Sequence, residues 1–235
     1  MTPDISSHIQ TAVRRALAED LRDGDVTTRA LFARPVPARA SIVAKQPITV
    51  AGIAVARAVF AAVDRSLKVR KAVADGAMVK RGSTILLVEG DGRSLLMAER
   101  VALNFLQRLS GIATLTAAFC KAVRGYRVKV LDTRKTTPGL RVLEKWAVTL
   151  GGGHNHRQSL GDGVLIKDNH LALAGGQVTA VCRTARERAP HGLMIEVEAQ
   201  SLEHVSAALE GKADIILLDN MDVATIRRAM ALIKD

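Results

Sequence analysis

LMIEVEA at residues 193–199, LEHVSAALEG at 202–211, ADIILLDN at 213–220 and VATIRRAMALIK at 223–234 follow one another along the chain, and their order decides the fold. Short apolar runs alternate with longer runs whose apolar residues recur at helical spacing. That rhythm predicts a parallel sheet covered by helices. Upstream, RVKVLDT (127–133) before LRVLEKWAVTL (140–150), and GVLIKDN (163–169) before a helix at about 177–188, continue it. The N-terminal half has another texture. SSHIQTAVRRALAEDL (6–21) predicts an opening helix with a serine cap, and GDVTT (24–28) a turn. Residues 38–91 read as short, glycine-punctuated β-runs around a helical piece at 54–64, and from Ser94 a long helix is predicted, broken near Gly111. A domain boundary is expected near 105–115, separating 1–110 from 111–235.

In βα arrays functional groups gather at the carboxyl ends of strands. Here those ends carry Asp132 with Arg134, Lys167 with Asp168, Glu196 with Glu198, and Asp219 with Asn220. Strand residues two apart share a face, so Glu196 and Glu198 are expected to point the same way. The loop after the first of these strands, RKTTPG (134–139), offers two cations, two hydroxyls and a Pro-Gly break. That chemistry suits phosphate or carboxylate oxygens. Arg141 either joins it or caps the next helix. GGGHNHR (151–157) reads as a flexible glycine turn before His154, His156 and Arg157. His-x-His spacing can chelate zinc, but no third ligand of suitable spacing follows, and Arg157 beside His156 fits a planar acid better. Lys167 ends an apolar strand and needs an anionic partner, Asp168 or Glu198, or a ligand. Glu198 and Asp219 suit ribose hydroxyls, a phosphate-bound Mg²⁺ or simple charge balance.

Composition excludes several classes. Apolar residues are 48% and charged residues 24% of the 235, an ordinary globular balance. Aromatics are only 3%, too few for a nucleic-acid surface built on stacking. The net charge of +11 is spread along the chain and set beside acids in compact motifs, which favours a small polyanionic substrate over nucleic acid. Cys120 and Cys182 lie far apart and read as small buried apolar residues of a reducing compartment. The opening MTPDISSHIQ lacks signal-peptide blocks and no run is long and apolar enough to span a membrane, so a cytoplasmic protein is expected. DGAMVKRGSTILLVEGDG (75–92) is hairpin-like in the manner of a lipoyl sandwich, without a modifiable lysine at a recognisable tip.

LDTRKTTPGLR (131–141), GGGHNHR, LIKDNH (165–170), IEVEA (195–199) and ILLDN (216–220), in this order and spacing, resemble the quinolinate phosphoribosyltransferases. AEDLRDGDVTT (18–28) and AERVALNFLQRLSGIAT (98–114) extend the resemblance over nearly the whole chain. It implies an α/β fold, with an N-terminal α/β sandwich followed by an open, TIM-like α/β barrel. Only four βα units are counted from residue 127, so a barrel truncated at its C-terminus is expected. It implies transfer of the phosphoribosyl group of 5-phosphoribosyl-1-pyrophosphate to quinolinate, with loss of CO₂ and pyrophosphate, in NAD biosynthesis. Mg²⁺ is expected through the pyrophosphate near Glu198 and Asp219 rather than on a direct protein site, and no organic cofactor. Arg134, His156, Arg157 and Lys167 are implied to hold the two carboxylates, with Arg100 from the partner in a homodimer; read alone, Arg100 is a solvent-facing helix residue. Lys135 and Thr136 are implied to face the phosphoribosyl donor, and Glu198 and Asp219 its ribose and pyrophosphate. Lys135, Lys167, Glu198 and Asp219 are the expected catalytic groups. The alternatives are a catalytically impaired ligand-binding remnant, the molybdenum-associated paralogue of the same fold, and a nucleic-acid binder.

Overall fold

The computed structural model describes residues 5–234. Their packing divides after His156 into two compact units.

In the first unit α1 (Ile5–Asp20) is the expected opening helix. GDVTT does not form the expected turn. Asp25 instead caps a short helix, α2 (Val26–Leu31), accepting the Thr28 N–H at 2.9 Å and the Thr28 hydroxyl. Six residues are too few for helical periodicity to announce themselves. Then come β1 (Pro37–Val43), β2 (Ile48–Thr49), α3 (Ile53–Val63), β3 (Lys68–Ala72), β4 (Met78–Val79) and β5 (Thr84–Asp91). β5 lies between β1 and β3, antiparallel to both, and β2 pairs with β4. Asp75 closes the start of α3 from outside the helix, accepting the N–H groups of Gly52, Ile53 and Ala54 at 2.6, 2.8 and 3.1 Å. Those donors would otherwise lack partners, because the residue at the cap is Gly52.

The long helix α4 (Gly92–Ala122) forms the spine of this unit. Leu95, Ala98, Val101, Ala102, Phe105, Leu106, Leu109 and Ala113 are buried along it at spacings of three and four, against Val50, Val55, Val59 and Leu86. The expected break near Gly111 is absent. Gly111 sits on the exposed face, so its propensity penalty of ~1 kcal/mol is outweighed by the buried stripe on either side. α5 (Arg141–Leu150) packs on α4 and α1. RVKVLDT, predicted as a strand, is reduced to a single parallel bridge between Leu131 and His154. Residues 127–129 are exposed, and among the described residues of this unit only the backbone at His154 pairs with the backbone of the segment.

The second unit holds β6 (Val164–Ile166), α6 (Asp168–Leu173), α7 (Val178–Arg188), β7 (Ile195–Ala199), α8 (Leu202–Glu210), β8 (Ile215–Leu218) and α9 (Val223–Lys234). The sheet is parallel in the order β6-β7-β8, as the strand and helix rhythm predicts. Ile195, Val197 and Ala199 of β7 are wholly buried, the mark of a central parallel strand. Ile215 and Leu217 of β8 stay about two-fifths exposed. α6 was not predicted; it is one short turn-and-a-half after Lys167. Both cysteines are free thiols. Cys182 is buried as expected, and burial pushes its thiol up, while Cys120 is only half-buried.

Asp91 caps α4 and supplies a pH test. The Arg93 side chain bonded to it, against the opposing effect of burial, and the N–H groups of Val36 and Arg93 lower its carboxyl to about 2. Its folded value lies below the unfolded one of about 3.9, so the ionised cap stabilises the fold above that value. The contribution fades as pH falls through the interval toward about 2. Asp91→Asn is expected to melt below the parent at neutral pH, with the gap closing across that interval in a thermal scan.

Candidate functional site

In the first unit the candidate groups lie on the loop after Leu131 and the segment 154–156. The loop is held from below by α5. Glu144, only 5% exposed, accepts the Thr137 N–H at 3.0 Å and the Arg108 Nε at 2.9 Å. Arg108 also donates to the Thr137 hydroxyl at 3.0 Å. Burial pushes the Glu144 carboxyl up, but the Thr137 hydrogen bonds and then the Arg108 guanidinium outweigh it and hold the group below its ordinary value. Arg141 donates to the Thr136 hydroxyl at 3.0 Å and the Arg134 carbonyl at 3.4 Å, so it ties the loop into shape. Lys135 is exposed at the loop's crest. Arg134 is half-buried, and its Nε is shielded from solvent without a protein acceptor.

Asp132 joins this loop to the next. It accepts from Lys145 Nζ and from the His156 N–H at 2.8 Å. The Asn155 amide, oriented to satisfy both neighbours, donates to its other oxygen at 2.6 Å and to the Lys145 carbonyl at 2.9 Å. Lys145 has no exposed surface at all.

The glycine turn before these histidines is not flexible in the sense expected. Gly151 and Gly153 are buried against α4. A Cβ on Gly151 would lie 2.4 Å from the Ala113 carbonyl oxygen, and one on Gly153 2.8 Å from a Thr116 methyl. Only Gly152 needs the left-handed region, at φ +88°. Two of the three glycines therefore serve close approach of backbone to helix.

In the second unit the candidate groups stand at the strand ends. Arg157 donates to the Gly163 carbonyl at 3.1 Å, while Asp162 gathers the N–H groups of Gln158 and Ser159 at 2.9 and 2.8 Å, shaping the loop between them. Lys167 ends β6 and stands 3.4 Å from Glu198 at the end of β7. Of the two partners the sequence left open, the structure gives it Glu198, and Lys167 stays 43% exposed on its side chain. Register pairs Glu198 with Leu217 of β8, which brings Asp219 to the neighbouring strand end. Asp219 accepts from Asn220 at 2.8 Å and Gln200 at 3.4 Å. Asn220 takes φ +53°, a left-handed turn that asparagine tolerates. Glu196, expected beside Glu198, is buried. Arg100 lies on the exposed face of α4. Among the described residues, His154 and His156 join no group of three or more His, Cys, Asp and Glu side chains suited to a metal ion.

Sequence reading missed Arg108, Glu144 and Lys145. Glu144 was findable, because Leu140, Glu144 and Ala147 share one helical face and the outer two are apolar. Nothing in the local sequence marks Lys145.

Two family models tile the chain: quinolinate phosphoribosyl transferase, N-terminal domain, over residues 25–110, and its C-terminal domain over 112–235. The nicotinate-nucleotide pyrophosphorylase [carboxylating] of Mycobacterium leprae is 47% identical over 214 residues, covering 90% of this chain and 75% of that protein. The probable enzyme of that name from Bacillus subtilis is 43% identical over 209 residues, covering 89% and 72%. The crystal structure of NadC from Streptococcus pyogenes superimposes with a TM-score of 0.90 at 43% identity, covering 100% of this chain and 81% of that one. The chain belongs to the quinolinate phosphoribosyltransferase family. The family models meet at residues 110 and 112, inside α4, whereas the compact packing units divide after His156. The chain spans about three quarters of the length of the two curated relatives.

The glycines give a paired test. Gly151→Ala is expected to destabilise by ~1–3 kcal/mol through overpacking. Gly111→Ala, with open space around its Cβ, is expected to stabilise by ~0.5–1 kcal/mol. Denaturant unfolding followed by circular dichroism reads both.

Proposed function

We propose that this chain joins quinolinate to 5-phosphoribosyl-1-pyrophosphate and releases CO₂ and pyrophosphate, yielding nicotinate mononucleotide for NAD synthesis. The observation that carries the reading is the match of both family models end to end with up to 47% identity to curated nicotinate-nucleotide pyrophosphorylases. No helix among the described residues is long and apolar enough to cross a membrane. A cytoplasmic setting suits the bacterial relatives, although plant relatives are named chloroplastic and mitochondrial.

In this reading Arg134, His156, Arg157 and Lys167 hold the two carboxylates, and Arg100 completes the site of the neighbouring copy in a homodimer. The exposure of Arg100 and the acceptor-less Arg134 Nε support these roles. Lys135 and Thr136 face the donor's phosphates. Glu198 and Asp219 present hard oxygen atoms of the kind Mg²⁺ takes, and ribose hydroxyls suit them equally. Mg²⁺ bound with the donor would offset charge on the departing pyrophosphate.

The quinolinate nitrogen forms a bond to the ribose C1 as the C1–oxygen bond to pyrophosphate breaks, the electron pair leaving with pyrophosphate. Carboxylates near C1 stabilise the positive charge that builds there. The ring becomes a pyridinium, and that cation accepts the electron pair released when the adjacent carboxylate departs as CO₂. A proton then fills the vacated ring carbon. The protein's part is alignment and fixed charge, with no covalent nucleophile.

The test incubates the purified chain with quinolinate, 5-phosphoribosyl-1-pyrophosphate and Mg²⁺ and follows nicotinate mononucleotide. Formation of the product at the expense of both substrates is expected; its absence, or salt-sensitive nucleic-acid binding with indifference to quinolinate, overturns the reading. Arg157→Ala and Lys167→Ala are each expected to lower turnover ~10²-fold or more. Near-normal turnover in either removes that residue from the site.

A further inference from the structure

We infer that Lys145 and Asp132 form a positioning pair that sets the backbone at His156, and thereby the imidazole assigned above to quinolinate; the inference rests on that functional reading. Lys145 is the largest side chain without exposed surface, and the Asp132 side chain is 7% exposed. Replacing both members of a buried ion pair by apolar side chains of similar volume is often neutral or stabilising, although removing one alone is costly. Stability alone therefore does not call for a lysine here.

The hydrogen bonds show what the charge does. Asp132 sits where the chain has just paired with a distant segment: its N–H donates to the His154 carbonyl at 3.1 Å, and the His154 N–H donates to the Val130 carbonyl at 2.9 Å. Its carboxylate then reaches two residues further, to the His156 N–H at 2.8 Å. Asn155 lies between, its amide bonded to both Asp132 and the Lys145 carbonyl. Three successive residues, 154 to 156, are thus tied to one point on α5 through Asp132. The orientation of that carboxylate is fixed by Lys145 Nζ. Lys145 and the His156 N–H share one Asp132 oxygen and Asn155 takes the other, so both oxygens are engaged by protein and the side chain is 7% exposed; its work is to hold the segment rather than to touch substrate.

The test reads steady-state kinetics for both substrates and backbone amide exchange. Lys145→Met and Asp132→Ala are each expected to raise KM for quinolinate ~10-fold or more, while KM for the phosphoribosyl donor stays within about twofold. Because both act through one brace, the double variant is expected to resemble Asp132→Ala alone rather than to multiply the effects. In the parent protein the His156 amide is expected to exchange at least ~10²-fold more slowly than an unstructured amide. A pair with only a structural role would lower the active fraction and leave KM unchanged. That result, or equal rises for both substrates, overturns the inference. If the variants do not fold, the parent decides: a His156 amide exchanging at the free-chain rate overturns it, and a protected one supports it. A parent that makes no mononucleotide sinks the functional reading instead, and the exchange measurement still reports on the brace.

Discussion

Glu144 and Lys145 are adjacent on α5 and both lie inside the protein, at 5% and 0% exposure. Taking an unpaired charge out of water costs several kcal/mol even after relaxation, so neither position is tenable unless something from outside the helix comes to meet it. What comes is the two segments proposed to hold substrate. The 134–137 loop supplies the Thr137 N–H to Glu144, with Arg108 of α4 on the same carboxylate. The strand end at Asp132 supplies the counter-charge to Lys145 and brings the His156 backbone with it. Two charges on one helical turn therefore oblige two stretches of loop to take one conformation. Loops are otherwise the part of a fold with most freedom, and a site that works by alignment cannot leave them that freedom.

The steric counterpart lies at the C-terminal end of the same helix. Gly151 and Gly153 let the chain leave α5 in backbone contact with α4, near Ala113 and Thr116. Any side chain there would displace the turn and with it His154 and His156, which follow within a few residues. Packing fixes where the segment begins, and the Asp132 carboxylate fixes where it ends. Neither constraint alone would define the path of the three residues between.

These two constraints also explain what could be read from the chain and what could not. Alternating apolar runs gave β6, β7 and β8 in order, and helical spacing gave α1, α4, α5, α7, α8 and α9, because burial on one face imposes a period on the sequence. α2 and α6 are shorter than two turns and carry no period. RVKVLDT has the texture of a strand, but a strand exists only through its neighbours, and within its unit it meets one residue. GGG looked like flexibility because a sequence does not show which atoms approach a missing Cβ. That Lys167, Glu198 and Asp219 stand at the ends of β6, β7 and β8 was legible, because the apolar runs stop at them. Of the groups that hold the loops, Glu144 could be found from its apolar helical face, but Lys145 looks like an ordinary charge of an amphipathic helix until its partner 13 residues back is known.

The charge distribution has the same logic on a larger scale. A net charge of +11 raises the local concentration of polyanionic substrates, yet a site of cations alone would bind pyrophosphate as readily as the species from which it departs. Catalysis needs groups that favour the positive charge arising at the ribose carbon over the ground state. Glu198 at the end of β7 stands 3.4 Å from Lys167, and the parallel register sets Asp219 on the adjoining strand. In the reading proposed above, carboxylates at neighbouring strand ends, one already balanced by a lysine, would supply negative charge without cancelling the field that draws the substrates. In the proposed reaction that lysine takes a substrate carboxylate, so its bond to Glu198 has to be shared as quinolinate binds.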